Sequence, residues 1–206
     1  MIDSIYFKIF YVLASYLLGS VLFAYIMAKI FGRGKNLSEI DRPGTAGAGR
    51  QYGYKASIPT FIFDVGKGVA VPLVAHLIGL DRFTMVVATI AVLVGHNWPI
   101  FFKFKGGGGI ATTIGIAAYL IPVIFLISFG ISLAVGFTYK YTLHKKKHQV
   151  NPNVVGGALG TFLLPVLCFA FSKPNYLIIL FFCLFLIIFT KGLILHFMYR
   201  NNPTAN

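Results

Sequence analysis

Long apolar runs separated by short basic gaps make up nearly the whole chain. The first run extends from Ile5 to Phe31 and gives way to a polar, glycine-rich stretch from Gly32 to Lys55. A second run, Ala56 to Leu80, is interrupted by Asp64 and Lys67, and a tight turn at Asp81-Arg82 leads into a third, Phe83 to Phe102. Lys103-Phe104-Lys105 and four glycines follow, then an apolar stretch from Ile110 to Tyr139 broken by Pro122. A basic loop, Lys140 to Asn153, precedes the last two runs, Val154 to Phe171 and Tyr176 to Met198. A helix needs about 20 apolar residues to cross a bilayer. Runs of this length without alternating polarity predict helices rather than a lipid-facing barrel.

The gaps predict a topology. Residues 32–55, 103–105 and 140–147 and the tail at Arg200 hold twelve Lys or Arg residues, against Lys8, Arg82 and Lys173 in the opposite gaps. The positive-inside bias puts the first group in the cytoplasm, the N-terminus outside and the C-terminus inside. Residues 110–139 must then start and finish on one side. They are expected to form a hairpin of two shortened helices turning near Tyr119 to Pro122. The prediction is an all-α integral membrane protein of about seven transmembrane helices, one of them short, in a single multi-pass domain over residues 1–206.

Composition supports this reading. Of 206 residues, 57% are hydrophobic and 11% charged, with a mean hydropathy of +0.81. Soluble domains carry about 25% charged residues, so soluble and disordered classes are excluded. The net charge of +13 would point to nucleic acid in a soluble chain. Here its placement between apolar runs is topological, and no nucleic-acid partner is expected. Cys168 and Cys183 lie within apolar runs and have neither metal spacing nor a disulfide framework. No metal or cofactor is expected, and no cleavable signal peptide.

Two segments carry candidate chemistry. In Lys105-Gly106-Gly107-Gly108-Gly109-Ile110, consecutive glycines let backbone N–H groups converge on an anion. A helix starting at Ile110 would aim its positive end at the same place, and Lys105 adds a full charge. The alternative is a flexible connector with a snorkelling lysine. The second segment, Arg42 to Gly53, is small, glycine-rich and basic; folded as an ordered loop it could set Arg50 or Arg42 on a phosphate, and otherwise it is a solvated linker. Asp64 and Lys67 share a helical face and read as an internal pair tying their helix to a loop, with substrate or ion binding as the alternative. His96 could cap a helix or bind a loop. His196 could reach the same pocket, His76 is expected near the outer interface, and His144 and His148 on a solvated face. Trp98 and Tyr139, Tyr141 and Tyr199 fit interfacial belts.

Gly19-Ser20-x-x-Phe23, the 42–53 segment, Phe63-Asp64-x-x-Lys67-Gly68, Gly95-His96-x-x-Pro99 and Phe104-Lys105-Gly106-Gly107-x-Gly109-x-Ala111-Thr112 occur in the order seen in the PlsY-type acyl-phosphate:glycerol-3-phosphate acyltransferases. The chain resembles that family over nearly its whole length. The resemblance implies seven transmembrane helices and a cytoplasmic active face in a bacterial inner membrane. It implies acyl transfer from acyl phosphate to the 1-hydroxyl of glycerol 3-phosphate, giving lysophosphatidic acid in phospholipid synthesis. No metal or protein nucleophile is implied, and the substrate's own phosphate takes the hydroxyl proton. Lys105, Arg50 and His196 become the catalytic candidates. Gly106, Gly107, Gly108, Gly109, Thr45 and Gly47 become phosphate-binding candidates, with Asp64, Lys67 and His96 in support. The chain departs from the family pattern at Gly108, where a second lysine is usual, at Arg50, where an asparagine is usual, and at Tyr199, where another asparagine is usual. A catalytically silent relative that binds a lipid phosphate or a membrane-protein partner is the alternative. A small transporter, supported only by Asp64 and Lys67, comes last.

Overall fold

The computed structural model describes residues 4–31, 43–142 and 152–200. In chain order its α-helices are α1 (Ile5–Ser20), α2 (Phe23–Phe31), α3 (Thr45–Tyr52), α4 (Tyr54–Leu77), α5 (Arg82–Asn97), α6 (Ile110–Leu120), α7 (Pro122–Thr142), α8 (Pro152–Ala170) and α9 (Asn175–Arg200), with a 3-10 turn at Ile100–Phe102. Among the described residues, five helical segments are long and apolar enough to cross a membrane. They are Ile5–Phe31, Tyr54–Leu77, Arg82–Phe102, Pro122–Thr142 and Asn175–Ile194. Ile110–Leu120 and Val155–Ala170 are shorter apolar helices.

Glycines set the helix crossings on one side of the bundle. A Cβ at Gly19 would strike the Val92 carbonyl, and one at Gly95 the Tyr16 carbonyl, so α1 and α5 meet backbone to backbone. Gly68 against Thr112 and Gly115 against Val65 do the same for α4 and α6. Such close approach is how helices associate where lipid removes the hydrophobic drive. Ser128 Oγ donates to the Gly160 carbonyl at 2.8 Å and joins α7 to α8. The apolar centre, with Leu93, Ile116, Ile124, Leu180, Phe181 and Leu184, draws on α5, α6, α7 and α9.

Three features differ from the sequence reading. The first apolar run is broken, with Val21 extended at ψ 106°. Lys67 Nζ takes the freed carbonyls of Gly19 and Val21 at 3.2 and 3.3 Å, so an unwound stretch at membrane depth is satisfied from a neighbouring helix. Residues 45–52, expected in a loop, are helical. Gly47 and Ala48 on that helix are buried, and Ala48 packs with Ala24, Met27, Ala28 and Ala56, so tertiary burial overrides poor glycine propensity. The hairpin over 110–142 turns at Ile121, inside the expected window, but only α6 is short; α7 runs 21 residues. Both helices line one groove, which shows that they fold back alongside each other.

Candidate functional site: a glycine turn over a buried Asp-Lys-His cluster

The turn that ends α5 organises the site. His96 and Asn97 close the helix, and Pro99 stops it. After the 3-10 turn, Lys103 and Phe104 both take left-handed backbone, with φ of 51° and 59°. That conformation costs a non-glycine residue on the order of 1 kcal/mol or more. It is held by the Phe104 amide on the Pro99 carbonyl at 3.0 Å and the Lys105 amide on Phe102 at 2.9 Å. Tyr25 stacks on Phe102 at 4.1 Å, and its hydroxyl reaches the Lys105 carbonyl at 3.4 Å. The Lys105 side chain is exposed.

The glycines then pass back over the α5 end. The Gly107 amide donates to the His96 carbonyl at 3.1 Å. A Cβ at Gly106 would strike the carbonyls of His96 and Asn97, and one at Gly107 would strike His96 Nε2. Gly109 sits at φ 82° with Asn97 Oδ1 2.7 Å from the position a Cβ would take. Being glycine, it offers α6 no side-chain cap, so the leading amides of that helix keep their positive field. Gly44 and Pro43 lie against Gly107, which brings the start of α3 to the same place.

Beneath the turn lies a buried cluster. Lys67 Nζ is 2.9 Å from Asp64 Oδ1 and 2.8 Å from His96 Nδ1, and Asp64 Oδ1 is 3.4 Å from Nδ1. Their side chains are at most 3% exposed. These three expected supporting residues thus meet, and the transporter reading loses its one support because Asp64 and Lys67 are engaged with each other. His96 binds the glycine turn, as one reading of the sequence had it.

The other candidates are placed as follows. Thr45 opens α3, its carbonyl accepting from Ser57 Oγ at 3.0 Å, and Gly47 is buried two residues on. Arg50 is exposed in the last turn of α3, about 7–8 Å along the helix axis from Thr45. His196 belongs to the last turns of α9, and its side chain lies outside the described residues, as do Arg42, His144, His148 and the side chain of Tyr199. Asn97 and Lys191 are additional. Asn97 is fully buried with neither side-chain polar atom bonded. Lys191, buried in α9, donates to the Asn97 carbonyl at 2.7 Å and sits 5.1 Å from the Trp98 ring centre. Trp98 is therefore a packing partner within the site as well as an aromatic near a span end. A lysine inside the apolar run of α9 was itself the signal for Lys191. Among the described residues no group of three His, Cys, Asp or Glu side chains forms a metal-ligand cluster.

An apolar groove of about 420 Å³ runs between α6, α7 and α8. Ile110 and Thr113 of the first α6 turn line it at one end, and Ala117, Phe125 and Leu164 line it further along. The glycine turn and the groove therefore share the α6 N-terminus.

These features define an all-helical integral membrane protein in which the start of α6 joins a glycine-built turn to an apolar groove. The chain belongs to the glycerol-3-phosphate acyltransferase family, whose model matches residues 9–202. Glycerol-3-phosphate acyltransferase 4 of Dehalococcoides mccartyi strain CBDB1 is 36% identical over 132 residues, covering 62% of this chain and 55% of the relative. The glycerol-3-phosphate acyltransferase of Thermoanaerobacter pseudethanolicus is 38% identical over 132 residues, covering 62% of this chain and 64% of the relative. The chain thus matches little more than half to somewhat under two thirds of the length of these relatives. The fold is similar to that of PlsY (YgiH), an integral membrane glycerol 3-phosphate acyltransferase, in its glycerol 3-phosphate form. The TM-score is 0.77 at 24% identity, over 96% of this chain and 90% of that one. The same protein in its lysophosphatidic acid form gives a TM-score of 0.72.

Proposed function

We propose that the chain transfers a fatty acyl group from acyl phosphate to the 1-hydroxyl of glycerol 3-phosphate, giving lysophosphatidic acid and inorganic phosphate. The observation that carries this reading is the shared α6 N-terminus. A phosphoryl group beside Gly106 to Gly109 would lie at the mouth of an apolar groove able to take the attached acyl chain. The hydroxyl oxygen attacks the acyl carbon, the bond from that carbon to the phosphate oxygen breaks, and the hydroxyl proton passes to a substrate phosphate. The protein's part is positioning and charge. Lys105 and the glycine amides hold phosphoryl oxygens, Thr45 and Gly47 close the cradle from α3, and Arg50 and His196 serve the acceptor. Asp64, Lys67 and His96 hold the turn from below. The positive-inside bias supports a cytoplasmic active face in a bacterial inner membrane, with the N-terminus outside.

The test is acyl transfer by the purified full chain in lipid nanodiscs, with palmitoyl phosphate and glycerol 3-phosphate. Lysophosphatidic acid should form, and Lys105→Ala should reduce kcat/KM by about 100-fold, as expected for loss of a charge-assisted bond. Wild-type rates in Lys105→Ala would remove Lys105 from the site. Gly108, uncharged where the family resemblance leads to a lysine, favours a second reading as a silent relative. Binding of palmitoyl phosphate without turnover would select it.

A further inference from the structure

We propose that His96 donates a hydrogen bond from Nε2 to a substrate phosphoryl oxygen in the glycine turn, in a ring tautomer imposed by Lys67. The inference rests on the phosphate-cradle reading above and adds a residue to it. An ammonium group has three hydrogens and no lone pair. At 2.8 Å from Lys67 Nζ, His96 Nδ1 must be the acceptor, so the neutral ring carries its proton on Nε2. The neighbouring contacts agree. Lys67 also donates to the Gly19 and Val21 carbonyls, which with Nδ1 uses all three of its protons. Asp64 Oδ1, 2.9 Å away, supplies the counter-charge. Asp64 therefore holds Lys67 charged, and Lys67 assigns the tautomer; an orienting partner on one ring nitrogen fixes the other.

The opposite edge of the ring faces the glycines. Nε2 occupies the space a Gly107 side chain would fill, and the backbones are locked by the Gly107 amide on the His96 carbonyl. Among the described residues the ring's polar contacts run through Nδ1, and His96 is only 2% exposed, so Nε2–H is the ring's remaining donor. A phosphoryl oxygen held in the turn would give it an acceptor.

The experiment uses the full chain in nanodiscs with His96→Gln, which keeps an N–H near the Nε2 position, and His96→Asn, which places its amide near Nδ1. Gln should keep each KM below that of the Asn variant. Asn should raise one KM by about tenfold or more, the range for a hydrogen bond to a charged group. A raised KM for palmitoyl phosphate assigns the donor's phosphoryl group, and a raised KM for glycerol 3-phosphate assigns the acceptor's. Equal kinetics for both variants would overturn the proposal. The ¹⁵N imidazole spectrum of the unsubstituted chain gives a readout that needs neither turnover nor a variant. It should show a protonated Nε2 whose resonance moves when inorganic phosphate is added. A protonated Nδ1, or an Nε2 signal indifferent to phosphate, would overturn the proposal even if lysophosphatidic acid is made. Failure of all acyl transfer with a phosphate-responsive Nε2 would instead overturn the enzymatic reading and leave the donor assignment standing.

Discussion

Lys67 Nζ has four electron-rich neighbours within 3.3 Å: Asp64 Oδ1, His96 Nδ1 and the carbonyls of Gly19 and Val21. Two of these are the carbonyls that the break between α1 and α2 releases, so one side chain both permits the break and supports the turn above it. Desolvating such an ion pair opposes folding, and its charge attraction only offsets that loss when both partners remain. Asp64→Asn leaves Lys67 without its counter-charge and is expected to destabilise the protein by about 3 kcal/mol. Asp64→Asn combined with Lys67→Met should cost less than the sum of the two single changes, because the second change removes the stranded charge. Thermal unfolding of the four proteins in one detergent checks this. Strict additivity would mean that the pair is not energetically coupled.

At the scale of elements, α5 is anchored at both ends by side chains from elsewhere. Its C-terminal turn is tied to α4 and α9 through Lys67 and Lys191. Its N-cap, Asp81, accepts from the Thr84 amide at 3.0 Å and the Thr84 hydroxyl at 2.7 Å, and pairs with Lys8 of α1 at 2.7 Å. The Lys8 ammonium, helped by the Thr84 donors, holds the Asp81 carboxyl well below the usual carboxylate range. A lowered folded-state value means that the contribution is complete above the unfolded carboxylate range, near pH 4, and is lost as pH falls below it. Amide exchange at Thr84, at the start of α5, should therefore be slow at pH 6. Relative to Asp81→Ala, its protection should shrink steadily as the pH is taken below 4. Protection that is the same in wild type and Asp81→Ala at pH 6 would show that the cap does not hold this helix end. The turn at Asp81-Arg82 was readable between two apolar runs, whereas the cap emerges only in the structure. The break at Val21–Leu22 was not readable: Gly19 disfavours helix only mildly, no proline lies between Ile5 and Phe31, and Lys67, which takes the freed carbonyls, lies 46 residues from Val21. For the same reason α3 was hidden, since its glycines argue against a helix until Ala48 finds its pocket beside Ala24 and Ala56.

At the scale of the whole molecule, hydropathy defined the all-helical membrane class because it is summed over many residues. The glycine turn stood out because four consecutive glycines are chemically unusual. Asn97 did not stand out, and Lys191, though marked as a lysine within an apolar run, gains its partner only when α5, α9 and the turn converge. The groove was equally hidden, being a space between three apolar helices rather than a property of any one of them. It also makes a prediction that depends on the full assembly. Acyl chains entering beside Ile110 and Thr113 would extend toward Phe125, which lines the part of the groove near Ala117 and Leu164. Truncating that ring opens space of several methylenes, each worth about 0.8 kcal/mol when buried. Phe125→Ala should therefore shift kcat/KM toward acyl phosphates longer than the wild-type optimum, by severalfold per added methylene until the new space is filled. A homologous series of acyl phosphates, assayed with glycerol 3-phosphate saturating, reads the shift directly. An unchanged chain-length profile in a folded Phe125→Ala protein would place the acyl chain elsewhere, and the link between groove and glycine turn would then lose its chemical meaning.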